Sequence, residues 1–360
     1  MTEREYLVLI YSYPHFGPKR TSLLVDYFKS AKKVWNARYE ELKNLGLSDK
    51  ISKDFLDYRK NFDIKKYFDE LENLKINYLT KSDEEYPENL RGLVDAPLVL
   101  YFRGCIKKTD RNSLAIVGSR KVTSYGREVA MKLTSELVSY GITIVSGLAY
   151  GVDTIAHKVC IDAGGRTLAV LASGLDMITP RGNLWLSNEI IESGGALISE
   201  KPLGHNVFRV DFPERNRIIS GLSKGVLVIE GTKNSGALYT ASHAAEQGKQ
   251  VFAVPGPITS VLSEAPHYLI QNGAKLVTSS KDILSELGLE AQVNYEQMEE
   301  VLPQGEEELK IISILEAEPL HIDEIVRMSS LPSDVVLSKL TIMEIKGMVR
   351  NIGGGVYKKL

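Results

Sequence analysis

Between residues 112 and 287, seven short apolar runs alternate with longer amphipathic stretches, a rhythm that very few folds accept. The runs read LAIVG (114–118), ITIVSG (142–147), TLAVLASG (167–174), ALISE (196–200), GVLVIEG (225–231), QVFAVPG (250–256) and KLVTS (275–279). Val, Ile and Ala fill both faces of most of them, as in parallel strands covered on both sides by helices. The segments between, such as SYGREVAMKLTSELVSYG and SGALYTASHAAEQG, carry a helical period. The pattern predicts an α/β domain over 81–287, an open, doubly wound and mostly parallel sheet. Such sheets bind ligands beyond the carboxyl ends of their strands, near the point where the strand order reverses.

The flanks are built differently. Residues 1–80 show helical periodicity and no strand alternation, which predicts a small helical domain. YPHFGPKRTSLLVDYF fits two helices joined through Gly17, with Lys19 and Arg20 beginning the second, and NLGLSDKISKDFLDY repeats the arrangement around Gly46. Two readings stand level: a helix–hairpin–helix gripping phosphate through loop amides, Lys19 and Arg20, or a small docking domain of SAM type. Residues 288–308 form an acidic linker. Residues 309–360 fit a winged helix, with MVRNIGGGVYKKL as a glycine-tipped wing. Asp334, Lys339, Glu344 and Lys346 nearly cancel on its would-be recognition helix, which favours protein contact or packing over groove reading. Arg350, Lys358 and Lys359 on the wing keep a DNA role open.

Composition removes several function classes. The formal net charge of −2 means that a polyanion site must be a local patch. The window 201–224 is one in sequence, with Lys201, Arg209, Arg215, Arg217 and Lys224 against Asp211 and Glu214. Cys105 and Cys160 are far apart, which fits a reducing cytoplasm and neither a disulfide framework nor a cysteine zinc site. No HExxH, GxxxxGK[ST] or GxSxG motif occurs, and no GxGxxG follows the first strand, so neither catalytic residues nor a metal or cofactor is expected. Asp153 and His157 of DTIAH stand one helical turn apart and read as a local hydrogen-bonded pair. No apolar run reaches about 18 residues, the N-terminus does not read as a signal peptide, and no membrane role is expected.

The strand ends carry the suggestive residues: Gly118, Ser119 and Arg120 after the first run, Gly147 after the second. FPERNRIISGLS (212–223) is expected to open a helix, with Arg215, Asn216 and Arg217 held out towards an anion. Arg217 is equally suited to pairing with Glu214 or Glu230, and Phe212 to stacking on a base or anchoring its loop. Ser235 and Gly236 open a further helix, with Ser235 at the N-cap. Donors spread over several loops suit an extended polyanion, whereas a compact nucleotide phosphate is cradled by one loop.

Taken together, IVGSR, SGLAYGVDTIAH, LASGLD, GGALISEKPLG, FPERNRIISGLSKGVLVIEG, SGALYTASHAAEQGKQVFAVPGPI and LIQNGAKLV, in this order, resemble the DprA/Smf family of DNA-processing proteins. The resemblance implies an extended Rossmann-like domain that binds single-stranded DNA and forms a homodimer. It implies a cytoplasmic protein, not an enzyme, that protects incoming strands in natural transformation and helps load the RecA recombinase. The family pocket maps onto Ser119, Arg120, Arg215 and Asn216, lined by Gly147, Ser235 and Gly236, with Lys201 at the rim. The sequence departs from the family pattern at Thr179, in SGALYTA, and at Ala265 and His267. Two rival readings remain: a nucleotide-cleaving enzyme of the wider superfamily, against which Lys233 and Asn234 stand where acidic residues would be useful, and an interaction hub acting through its end domains.

Overall fold

The computed structural model describes residues 1–289, 305–316, 318–345 and 348–359. Two compact units result, Met1–Leu287 and Gly288–Leu360.

The first unit is organised by a nine-stranded sheet: β1 (Asn77–Thr80), β2 (Val99–Gly104), β3 (Ser113–Val117), β4 (Thr143–Ser146), β5 (Thr167–Leu171), β6 (Ala196–Ser199), β7 (Gly225–Val228), β8 (Gln250–Ala253) and β9 (Lys275–Leu276). All seven expected runs are strands, and their order is β1-β2-β6-β5-β4-β3-β7-β8-β9. From β6 across to β9 every pairing is parallel. Strands β3 to β7 are fully buried, which is why their sequences lack a polar face. The chain leaves β3 for β4 on one side and later returns to lay β7 on the other. The strand order therefore reverses between β3 and β7.

Two strands were not expected. VLYFRG forms β2 and runs antiparallel to β6, and NYLT forms β1, antiparallel to β2. Both extend the sheet towards the N-terminal helices. Helices Glu3–Tyr11, Pro18–Phe28, Ala31–Asn36, Tyr39–Asn44, Asp49–Asn61 and Ile64–Asn73 make up that region. One apolar core runs from Val8, Leu9, Trp35 and Phe55 of these helices to Tyr101 of β2 and Leu171 and Leu197 of the sheet. Gly17 stands at the N-cap of Pro18–Phe28, and Gly46 joins Tyr39–Asn44 to Asp49–Asn61 with φ +82°.

The second unit is a winged helix. Helices Glu306–Ile314, Ile322–Ser329 and Ser333–Ile345 combine with β10 (Leu320–His321), β11 (Val349–Asn351) and β12 (Val356–Lys359) in the order β10-β12-β11. Ile311, Ile325, Val336, Leu340, Met343 and Tyr357 fill its core. Lys339 on the third helix pairs with Glu307 at 3.2 Å. Most of the expected acidic linker falls in 290–304, outside the described residues.

Candidate nucleic-acid interface

A cavity of about 280 Å³ opens at the carboxyl ends of β3 and β7, where the strand order reverses. Gly118, Ser119 and Arg120 line one wall, Phe212, Arg215 and Asn216 a second, and Ser235 and Gly236 a third. These residues come from three separate loop–helix junctions. The sheet brings them together at one end, where the strand order reverses.

The Gly118–Arg120 loop is held from below. Its Ser119 carbonyl accepts the Val152 amide at 3.2 Å. That approach requires Gly151, whose φ is +81° and where a Cβ would lie 2.2 Å from the Ser119 oxygen. Glu230, buried just after β7, accepts the Thr123 amide at 3.0 Å and its hydroxyl at 2.5 Å. Thr123 in turn caps the helix Ser124–Ser139 by accepting from the Gly126 amide. Arg120 is left exposed, its guanidinium 5.5 Å from the centre of the half-buried Phe212 ring. Phe212 thus supports an arginine, an arrangement that keeps the charge at the mouth of the cavity.

Arg215 is the buried cation of the site, 7% exposed. Its Nη1 donates to the Gly147 carbonyl at 2.6 Å and to that of Val170, and its Nε donates to Asn216 Oδ1 at 3.2 Å. Gly147 is a glycine because a Cβ there would lie 2.7 Å from the guanidinium carbon. Three of the five guanidinium donors are spent in this way, and among the described residues Nη2 has no partner. Nor does Arg215 form an ion pair among the described residues. Asp153, whose charge acts on Arg215, accepts the Gly147 and Ala149 amides on its Oδ2 at 3.1 and 3.3 Å. Burial pulls the Arg215 pKa down to about 10, Asp153 opposes that fall, and Arg120 adds to it. Burial also raises the Asp153 pKa, against the pull of Arg215 and the two amides. The guanidinium is thus buried with no carboxylate bonded to it and with Nη2 unused, the kind of donor that suits an anionic oxygen.

Asp153 and His157 do not bond one another. His157 is fully buried, and its Nδ1 lies 2.6 Å from the Thr167 hydroxyl. That hydroxyl donates to the Ile144 carbonyl, so the ring donates through Nδ1 and leaves Nε2 bare. Burial first, and Arg215 second, drive the His157 pKa down to about 3. The ring is a neutral support beneath the site.

Other expected residues are placed elsewhere. Arg215, Asn216 and Arg217 lie in the second turn of a helix that begins at Asp211, not at its opening. Arg217 does not line the cavity. Residues two apart on a helix point in nearly opposite directions, and Arg217 pairs with Glu200 at 2.5 Å, not with Glu214 or Glu230. Lys201 is committed to Asp211 at 2.7 Å and Glu214 at 2.9 Å. Lys19 and Arg20 are exposed in the first turn of Pro18–Phe28, and Arg20 donates to the His15 carbonyl at 2.6 Å. Neither reaches the strand-end cavity. Ala149, Thr232 and Thr240, by contrast, line it without having been expected. Thr232 and Thr240 flank the Ser235 N-cap in sequence, which is the signal that could have found them. Among the described residues no group of three or more His, Cys, Asp or Glu side chains is placed to hold a metal ion. No described helix is long and apolar enough to cross a membrane.

The family profile for DNA recombination-mediator protein A matches residues 77–288, and that for the DprA winged helix domain matches 300–355. Protein Smf of Escherichia coli is 39% identical over 293 residues, 78% of this chain and 77% of its own length. DNA processing protein DprA of Bacillus subtilis is 43% identical over 213 residues, 59% of this chain and 71% of its own. The crystal structure of DprA from Streptococcus pneumoniae superposes with a TM-score of 0.68 at 32% identity, covering 79% of this chain and 98% of that one. DprA from Helicobacter pylori, described for its single-stranded DNA binding mode, gives 0.53 at 28% identity, covering 59% and 95%.

Proposed function

We propose, for a chain that belongs to the DNA recombination-mediator protein A (DprA/Smf) family, that the strand-end cavity holds the backbone of single-stranded DNA. The observation that carries this reading is Arg215: a largely buried guanidinium that lines the cavity, fixed by two carbonyls and Asn216, with Nη2 unused and no carboxylate paired to it. A phosphate oxygen supplies the missing counter-charge. Arg120 at the mouth meets a neighbouring phosphate, and the amino end of the helix Gly236–Glu246, capped by Ser235, adds oriented amides. Gly118, Ser119, Gly147, Phe212 and Gly236 shape the walls. In this reading affinity is set mainly by phosphate contacts and is strongly salt-dependent.

In this reading the protein is not an enzyme. It binds strands during transformation and recombination, protects them, and acts as a homodimer joined through its sheet domain that helps load RecA in the cytoplasm. Lys19 and Arg20 offer a second, weaker contact on the N-terminal helices, and the winged helix recruits a partner. The test is fluorescence anisotropy with mixed-sequence single-stranded and duplex oligonucleotides over a salt series. Tight single-strand binding that weakens steeply with salt supports the reading. Binding indifferent to salt contradicts it, and release of free base from a nucleotide panel would favour the enzyme alternative.

A further inference from the structure

Arg217 reaches away from the cavity into a buried chain of polar groups that phosphate binding leaves unexplained. Its Nη2 lies 2.5 Å from Glu200 Oε2, and its Nη1 donates to the Asp95 carbonyl. The other carboxylate oxygen, Glu200 Oε1, accepts the Tyr11 hydroxyl at 2.5 Å. Tyr11, Glu200 and Arg217 are 5%, 5% and 8% exposed, so water does not stand in for any of the three. The chain joins the helix Glu3–Tyr11, the residue just past the end of β6, and the helix Asp211–Leu222.

The same residue also touches the far end of the helix that carries the third wall. Gln247 Nε2 donates to the Arg217 carbonyl at 2.9 Å, and Gln247 caps the carboxyl end of the helix Gly236–Glu246. The amino end of that helix lines the cavity and is tied to the second wall by Asn216 Nδ2, which donates to the Gly236 carbonyl at 3.1 Å. Next to Glu200, Lys201 anchors the first turn of Asp211–Leu222 through Asp211 and Glu214. Glu200 and Lys201 thus grip two successive turns of the helix that carries Arg215.

We propose that Tyr11, Glu200 and Arg217 form a positioning relay through which the N-terminal helices set the placement of Arg215 in the cavity. The inference rests on the cavity being the phosphate site. Removing the Tyr11 hydroxyl leaves a buried carboxylate oxygen without its donor, and Glu200 shifts to recover one. Arg217 follows Glu200, and the helix turn shared by Arg215 and Arg217 follows Arg217. Packed helices move as units, so the displacement reaches Arg215 Nη2 without touching any DNA contact directly. Tyr11 and Glu200 are therefore positioning residues, and the N-terminal region is a functional part of the cavity's frame.

The test is a double-variant cycle on the full chain, read by single-stranded DNA affinity. Tyr11→Phe is expected to fold and to weaken binding about fivefold, the equivalent of about 1 kcal/mol. Arg215→Ala is expected to weaken it further, and the Tyr11→Phe/Arg215→Ala double variant to bind no worse than Arg215→Ala alone, because the relay acts through Arg215. A purely structural role for Tyr11 gives additive losses instead and overturns the proposal, as does wild-type affinity in Tyr11→Phe. Arg217→Lys keeps the charge beside Glu200 and loses the fork that also reaches Asp95. It serves as the second relay variant should Tyr11→Phe be poorly folded, with the same non-additivity expected. If Arg120→Ala and Arg215→Ala bind as wild type does, the phosphate reading falls and the relay with it. If those two lose binding and both relay variants keep it, the relay alone falls.

Discussion

The two sides of the helix Asp211–Leu222 place arginines in opposite circumstances. On the cavity side, Arg215 is buried against carbonyls and an amide, with no ion pair among the described residues and free donors on Nη2. On the far side, Arg217 is buried against Glu200, which Tyr11 also holds, and burial alone would lower its pKa, but Glu200 and Tyr11 raise it. The sequence separation is two residues and the chemistry is inverted. An arginine paired with a carboxylate holds structure together. One bonded only to carbonyl oxygens keeps its charge for a ligand, and the difference lies in the partners rather than in the residue type.

That contrast predicts unequal costs of removal. Arg217→Met strands a buried carboxylate and is expected to lower the unfolding free energy by about 3–5 kcal/mol. Arg215→Met removes a buried charge to which no carboxylate is bonded and is expected to cost less than about 2 kcal/mol, with most of its effect on DNA affinity. Chemical denaturation of both variants measures the gap, and equal losses would erase the distinction.

The cavity side also carries a pH signature. His157 is neutral in the folded state, its pKa driven down to about 3, against an ordinary 6.5. As pH falls below 6.5 the unfolded chain takes up the proton first, so the stability due to the neutral ring is complete above pH 6.5 and declines towards pH 3. Its share of the loss between pH 7 and pH 5 is about 2 kcal/mol. Melting curves across that range should show it, and His157→Gln, with no proton to gain, should flatten the slope.

A smaller effect sharpens the comparison further. Gly147→Ala pushes a Cβ to within 2.7 Å of the Arg215 guanidinium carbon. It is expected to cost about 1 kcal/mol in stability while weakening single-strand binding about tenfold. A variant that keeps wild-type affinity would show that Arg215 need not sit where these carbonyls hold it.

Much of this was legible before any coordinates. Strands β3 to β7 announce themselves because burial on both faces demands uninterrupted Val, Ile and Ala, and glycines at their ends mark where a backbone must approach something closely. β2 was readable in principle, since VLYFRG follows Pro97 with β-favouring residues. β1 was not, because the four residues of NYLT have too little pattern to separate strand from loop. For the two arginines, helical spacing alone forbids a shared fork, since residues two apart do not face one another. What no local pattern contains is the identity of Arg217's partners. Glu200 stands at the end of a different strand and Tyr11 near the start of the chain, and only the fold brings them together.

The most direct measurement is the salt dependence of single-stranded DNA affinity for wild type and Arg120→Ala. Arg120 is exposed and its removal should leave the fold intact. If the strand-end cavity holds a DNA backbone, the variant binds more weakly and the slope of log K against log salt becomes shallower by about 0.7, the loss of one phosphate contact on a single strand. An unchanged affinity and slope would contradict the account and place the DNA elsewhere on the molecule.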